Sequence, residues 1–467
     1  MPASNSMGCV FIIIITMNLT LGDLISTRSI EASALHLINQ LLHNKSKAYL
    51  DNDGTYWDFG SNLSINIQKI IRSLHRHTYR FSPYLKRTKM MKNKKVRDLY
   101  HPTWPDRLVE RWISECLGIK LHNWFSNNSY AYRIKEYCID VCQWRVLNSI
   151  SPNSLIIKRD ISNCFYTIDH NILLEQLQQV VDKNDYLYEL LYNRIKFEYH
   201  DGDDNIKLAA IGVPFGSSIA CMLANIYLTK IDREMDRLHV KYFRYADDFL
   251  VVTDDHTAAV EAMSVLDNNI LSLKASSKLS HCQNLSFVAL DGFSKVDSFK
   301  YLGLEFTKGQ SVRLGREKQR KIVNLVKREL SYIKLSGDIG ERLKKCVLAV
   351  NRALVERIRS VAIVDYYLKH VTDERQLHNI DMLIVQLVVG AVLGKPFRYR
   401  DFSKISYRSV RKAGLVSLVH RRRLHAHGKL DYKFMNFYNQ LVHARFERIN
   451  KDRLDSINYA RLKKLQQ

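Results

Sequence analysis

Residues 240–255 read VKYFRYADDFLVVTDD, two runs rich in β-branched and aromatic residues with Ala246, Asp247 and Asp248 between them. This pattern predicts an antiparallel hairpin with two adjacent carboxylates at its tip. Acids thrust between apolar strands repel one another and resist burial, so the site requires a compensating cation. An isolated Asp-Asp pair is commonly no more than a solvated turn. A second segment, SLIIKRDISNCFYTID, argues against that reading, because its apolar run Leu155, Ile156 and Ile157 predicts a buried strand delivering Asp160 at its end. Three carboxylates from neighbouring strands make an oxygen-only site suited to Mg²⁺ or Mn²⁺. Two such ions, roughly 3.5 to 4 Å apart, can activate a hydroxyl nucleophile and stabilise a phosphate leaving group.

Charge points to the partner. The 467 residues carry 71 Lys plus Arg against 47 Asp plus Glu, a formal net charge of +24 that suits a polyanion. The excess is uneven. Residues 71–111 hold 12 basic against 3 acidic residues, and the stretch from Gln376 to the C-terminus holds 19 against 6. Two basic segments thus flank a more neutral centre that contains the acids. The 25 tyrosines, interleaved with Arg and Lys in YRFSPYLKR and FRYRDFSKISYRSVRK, can stack bases or simply line helix faces.

Eight cysteines form no CxxC pair and no zinc-finger array, so reduced thiols and a cytoplasmic location are expected, with Cys138 and Cys142 in the core. The apolar start CVFIIIITMNLTLG has no preceding Lys or Arg and falls short of a membrane span. A buried segment is expected there, or a start codon at Met7 or Met17, and no membrane partner. Residues 18–75 carry helical periodicity, 150–306 mix short strands with helices, and amphipathic helices return after 310 (REKQRKIVNLVKRELSYIKL, ERLKKCVLAVNRALVERI).

From about Tyr79 to Phe306 the sequence resembles the reverse transcriptases, with several motifs in the family's order. The resemblance implies an α+β right-hand polymerase fold: an N-terminal helical extension (1–75), fingers (76–150), a palm with an antiparallel sheet (151–308), a helical thumb (309–375) and a basic helical C-terminal region (376–467). It implies an RNA-directed DNA polymerase that adds dNTPs to a 3′-hydroxyl with two Mg²⁺ ions, copying RNA into DNA. Asp160, Asp247 and Asp248 match the metal-binding acids, and the carbonyl of Ile161 would complete one shell. Phe165 falls where the family places its sugar gate, a ring that excludes a ribose 2′-hydroxyl.

Other motifs extend the match. IGVPFGSSIACMLANIYLTKIDREM resembles the turn and helix that back the nascent base pair; Gly216 lets the backbone approach closely, and Phe215 stands where many relatives carry Gln. KMMKNKKVRDLYHPTWPDRLVERWI resembles the clasp on the incoming triphosphate, with Lys92 and Arg97 as its cations and Lys94 and Lys95 as competitors. SYAYRIKEYCIDV offers Arg133 as a nucleic-acid contact. NNILSLKASSKLSHC approximates the motif whose lysine acts as general acid, here Lys278 rather than Lys274. FKYLGLEF resembles the hairpin that supports the primer terminus, centred on Tyr301, Leu302 and Gly303.

The tail shows no HNH or restriction-like nuclease, RNase H or protease signature. A polymerase core with a basic helical tail looks like the bacterial defence-associated reverse transcriptases of the abortive-infection and unknown-group kind. On that likeness the function is antiphage DNA synthesis on a structured noncoding RNA, or protein-primed synthesis in which a tail tyrosine such as Tyr432 or Tyr438 serves. The alternative is a group II intron-type reverse transcriptase or maturase that binds intron RNA, and a further rival is an RNA-dependent RNA polymerase. Arg421, Arg422 and Arg423 fall on successive helix faces and are expected to bind RNA, against an oligomer interface or a solvated surface.

Overall fold

In the computed structural model the chain divides into two units, Met1–Val296 and Asp297–Gln467. Described are residues 17–34, 62–91, 96–133, 137–202, 205–285, 292–355 and 367–427, with positions 37, 50, 51, 54, 55, 59 and 290. Most of the apolar start, the lysines at 92, 94 and 95, and Tyr432 and Tyr438 lie outside the described residues.

The first unit begins with α1 (Leu21–Thr27), set by a capping box: Thr20 accepts from the Asp23 N–H, and the Asp23 carboxylate accepts from the Thr20 N–H at 2.9 Å. α2 (Leu63–His75) buries Ile67, Ile70 and Leu74, the stripe its periodicity predicts. Strands β1 (Tyr84–Met90) and β2 (Val96–His101) form an antiparallel hairpin. α3 (Trp104–Lys120) follows, capped by the Thr103 hydroxyl and started by Pro105. α4 (Ile139–Ser149) leads to β3 (Leu155–Ile161), α5 (Cys164–Thr167), α6 (His170–Leu177) and α7 (Tyr186–Ile195). β4 (Glu198–His200) pairs parallel with β1, and β5 (Lys207–Leu208) pairs with β4, which makes a four-stranded fingers sheet.

That sheet is fastened to the helices by a buried ionic group. Arg194 of α7 lies 3.1 Å from Asp106 and 3.0 Å from Glu110, both on α3. Tyr79 donates to Asp106 at 2.7 Å and Tyr84 donates to Glu110. A guanidinium with this much acceptor density around it is tolerable in the interior, whereas losing one partner would strand a charge there.

The remainder of the unit is the palm. α8 (Ala220–Met235) is buried on nearly all sides; β6 (Lys241–Tyr245) and β7 (Asp248–Thr253) form the expected hairpin, and α9 (His256–Ser272), β8 (Ser277–Asn284) and β9 (Ser294–Lys295) follow. Among the described residues the sheet order is β9-β8-β3-β7-β6, antiparallel except for the β9–β8 pair. β3 lies at its centre because Leu155, Ile156 and Ile157 can be covered on both faces, and α9 packs across β3 and β7.

The second unit opens with β10 (Ser298–Tyr301), β11 (Leu304–Thr307) and β12 (Val312–Leu314), an antiparallel meander. Leu302 and Gly303 both take left-handed φ, +49° and +82°, as a two-residue type I′ turn requires. This hairpin falls on the far side of the division at Val296, although the sequence grouped it with the palm up to residue 308. Helices α10 (Arg316–Ser331), α11 (Ile339–Leu354) and α12 (Glu374–Val392) pack on one another through Ile322, Val326, Cys346, Val350, Val385 and Val389. Then come a 3₁₀ turn (Tyr399–Ser403), α13 (Tyr407–Lys412) and α14 (Leu418–Ala426). Asp381 of α12 anchors them: it accepts from the Leu418 N–H at 2.9 Å and lies 3.2 Å from Arg411. Among the described residues no helix is long and apolar enough to cross a membrane.

Candidate active site

Pairing of β3 with β7 puts Asp160 directly opposite Asp248, and β6 puts Tyr245 opposite Asp248 on the other side. The Ile161 N–H donates to the Asp247 carbonyl at 3.2 Å, which stitches the end of β3 to the hairpin tip. Ala246, at φ +58°, makes the tight reversal, a conformation that costs a non-glycine residue energy and persists only where its surroundings enforce it.

Enforcement comes from Arg244. Its guanidinium donates to both Asp232 oxygens at 2.7 and 2.6 Å, to the Asn225 side chain at 3.0 Å and to the Ala246 carbonyl at 3.1 Å. Tyr242 adds a hydrogen bond to Asp232 at 2.7 Å. Asp232 and Asn225 both belong to α8, so the tip that carries the acids is tied to the most deeply buried helix of the palm.

Lys158 precedes Asp160 by two residues on β3, so both side chains point to the same face. Its ammonium lies 3.5 Å from Asp248. Burial, helped by the charges of Asp160 and Asp247, pushes the Asp248 carboxyl up to about 6 against the pull of Lys158. Among the described residues no group of three or more His, Cys, Asp or Glu side chains stands as a ready metal cluster. The donor set nevertheless fits a hard divalent cation: three carboxylates at adjoining strand ends, where the charges of Asp160 and Asp247 help raise the proton affinity of Asp248 while the Lys158 ammonium lowers it. On the face opposite Lys158, buried Arg159 forms a two-pronged pair with Asp267 of α9, at 2.6 and 2.8 Å.

Shortly after Asp160 in the chain, α5 contributes two rings to an aromatic cluster. The Phe165 and Phe215 rings are 5.1 Å apart, Tyr166 is 5.6 Å from Phe215, and the Arg97 guanidinium lies 5.2 Å from the Phe215 centroid. Gly216, at φ +103°, lets the turn press on β2, where an added Cβ would meet the Leu99 side chain at 3.4 Å. Four residues singled out in the sequence, Arg97, Phe165, Phe215 and Gly216, are thus one constellation.

The others are more scattered. Lys278 is the register partner of Asp160 on β8, so its backbone adjoins the acids; its side chain lies outside the described residues. Arg133 donates to the carbonyls of Ser126 at 2.5 Å, Ser129 at 3.0 Å and His122, and its guanidinium lies 3.7 Å from the Tyr137 ring centroid. It thus clamps the loop after α3. In the second unit Tyr301 is buried and Gly303 forms the hairpin turn under the Lys318 side chain. Arg422 donates to the Val371 carbonyl and Arg423 pairs with Glu374 at 2.6 Å, while Arg421 shares their helix, α14.

The sequence reading missed Lys158, Arg244 and Asp232. Strand alternation was signal enough for Lys158, since in LIIKRDI it places Lys158 with Asp160 and Arg159 on the reverse face. Arg244 and Asp232 had no such signal, because their pairing depends on α8 returning beneath the hairpin.

Residues 85–306 match the family described as reverse transcriptase (RNA-dependent DNA polymerase). The COX1/OXI3 intron 2 protein of Saccharomyces cerevisiae is 27% identical over 179 residues, 38% of this chain and 20% of that protein. The group II intron-encoded protein LtrA of Lactococcus lactis subsp. cremoris is 28% identical over 179 residues, 38% of this chain and 29% of that protein. Among solved structures, telomerase from Candida Tropicalis in complex with a TWJ fragment of telomeric RNA aligns at a TM-score of 0.43 and 14% identity, over 83% of this chain and 65% of that one. The chain spans under a third of the length of either intron protein. Residues 85–306, which hold the three aspartates and the aromatic cluster, thus carry this chain's match to the reverse transcriptase family.

Proposed function

We propose that the chain is an RNA-directed DNA polymerase that extends a 3′-hydroxyl with dNTPs on an RNA template. The observation that carries this reading is the pairing of Asp160 with Asp248 at the end of the palm sheet, with Asp247 on the same strained tip. Asp160, Asp247, Asp248 and the Ile161 carbonyl would hold two Mg²⁺ ions, or Mn²⁺. Bound there, such ions lower the proton affinity of an attacking hydroxyl and neutralise a leaving pyrophosphate. The chain's own groups do the rest. Arg97 and Lys92 bind the triphosphate, the Phe165 ring closes the space a 2′-hydroxyl would need, and Phe215 and Gly216 back the base pair. Lys278, on the strand next to Asp160, delivers a proton to the departing pyrophosphate. Arg133, Tyr301 and Gly303 support template and primer strands, and Arg421, Arg422 and Arg423 contribute to an RNA-facing surface.

Replacing Asp247 and Asp248 together by Ala tests the reading. dNTP incorporation on an RNA template with a DNA primer is expected to vanish while RNA binding persists; incorporation by the double variant would refute it. For the biological setting we propose antiphage DNA synthesis on a structured noncoding RNA, from a soluble cytoplasmic protein, with a homo-oligomer as one possible assembly. The intron names of the two relatives favour a second reading, an intron-type reverse transcriptase or maturase. Sequencing the RNA and DNA that copurify with the full chain separates the two: one noncoding RNA with complementary DNA supports the first, spliced intron RNA the second.

A further inference from the structure

One ring joins three pieces of the first unit, and what it joins bears on substrate choice, given the polymerase reading above. Phe215 contacts Phe165 and Tyr166 of α5 and receives the Arg97 guanidinium of β2. Its backbone is fixed at the same place: the Phe215 carbonyl accepts from the Tyr100 N–H at 2.9 Å. Tyr166 donates to the Asp98 carbonyl at 2.8 Å, a second tie between α5 and β2. The Phe165 carbonyl in turn accepts from the Val213 N–H at 2.7 Å, two residues before Phe215. Arg97, the proposed triphosphate cation, and Phe165, the proposed sugar gate, both touch Phe215.

We infer that Phe215 is a positioning residue that sets deoxynucleotide selectivity. Its ring packs against the Phe165 ring and seats the Arg97 guanidinium, so that sugar exclusion and triphosphate grip act as one unit. A flexible polar side chain here can reach a ligand, but it offers neither an aromatic edge to Phe165 nor a face to Arg97. The ligand class is a 2′-deoxynucleoside 5′-triphosphate.

The test compares kcat and KM for one dNTP and the matching NTP, on an RNA template with a DNA primer, in the full chain and three variants. Phe215→Leu is expected to lower the dNTP-to-NTP ratio of kcat/KM roughly tenfold or more, which is what losing these ring contacts converts to, and to raise KM for the dNTP as Arg97 loses its seat. Phe215→Tyr, which keeps the ring, is expected to restore the ratio. Tyr166→Phe removes only the hydroxyl tie to β2, so its ratio is expected to fall severalfold with the core packing intact. An unchanged ratio in Phe215→Leu, whatever its rate, overturns the inference. If circular dichroism shows that variant unfolded, an unchanged ratio in Tyr166→Phe overturns it instead. Wild type that selects dNTPs alongside variants that select equally well refutes this inference alone; wild type that incorporates no dNTP refutes the polymerase reading with it.

Discussion

Lys158 does in the metal-free chain part of what a divalent ion would do. Its ammonium, 3.5 Å from Asp248, opposes the burial and the neighbouring carboxylate charges that together push the Asp248 carboxyl up to about 6. A cation built into the site also competes with an incoming one. Lys158→Met is therefore expected to tighten Mn²⁺ binding severalfold in calorimetric titration and to lower the melting temperature in chelator; weaker Mn²⁺ binding by the variant would contradict this. A second residue sets a pH limit at the fingers. Burial, reinforced by the charges of Arg107, Arg87 and Lys89, lowers the His101 imidazole to about 4 from an ordinary 6.5. Between those values the unfolded chain binds the proton that the folded chain refuses, so stability is complete above about 6.5 and is lost as pH falls toward 4. Partial exposure of the ring reduces the effect to the order of 1 kcal/mol. Denaturant titration of wild type and His101→Gln at pH 7.5 and pH 5 should show a smaller loss for the variant; equal losses would remove His101 as the cause.

Among the elements, the β6–β7 hairpin shows how far the sequence could be read. KYFRY and FLVVT are strand sequences under any propensity, and the acids between them mark the tip, so strands, turn and the facing Asp160 were all legible. Illegible was the force that keeps the turn at positive φ, because Arg244 reads as one more polar residue of an alternating strand, and Asp232 as part of the charged end of a helix. Their bond exists only once α8 lies under the hairpin. Arg133 is a related case: a basic residue between palm and fingers reads as a nucleic-acid contact, and only the fold shows that its guanidinium also donates to nearby carbonyls. Arg244→Met leaves Asp232 buried and unpaired, at an expected cost of about 3 to 5 kcal/mol. Adding Asp232→Leu removes that stranded charge and should recover much of the stability. Nucleotide incorporation should not recover, because the Ala246 carbonyl still lacks the donor that holds the tip. Denaturant melts and incorporation assays on the single and double variants separate the two effects, and recovery of both together would reduce Arg244 to a packing role.

At the scale of the whole molecule the +24 charge must be divided between groups free to meet phosphate and groups the fold has engaged. Arg194, Arg244 and Arg159 are buried with carboxylates, and Arg423 is paired with Glu374. Helices α10 and α11 differ, because their apolar stripes face inward and leave Lys327 and Lys344 exposed. A chain that grips six or more phosphates through such groups loses about 10³-fold or more in affinity between 50 and 200 mM salt, since each neutralised phosphate releases counterions. Fluorescence anisotropy with an RNA–DNA duplex should therefore give a steep negative slope of log K against log salt. Lys327→Ala and Lys344→Ala should each flatten that slope by about one unit, as expected for a lost phosphate contact. Arg423→Ala should change it less, because its guanidinium must first leave Glu374 before it can reach a phosphate. If the arginine variant flattened the slope as much as the lysine variants, the Glu374 pair would have to open on binding, and the basic run of α14 would join the nucleic-acid surface in the way its sequence suggests.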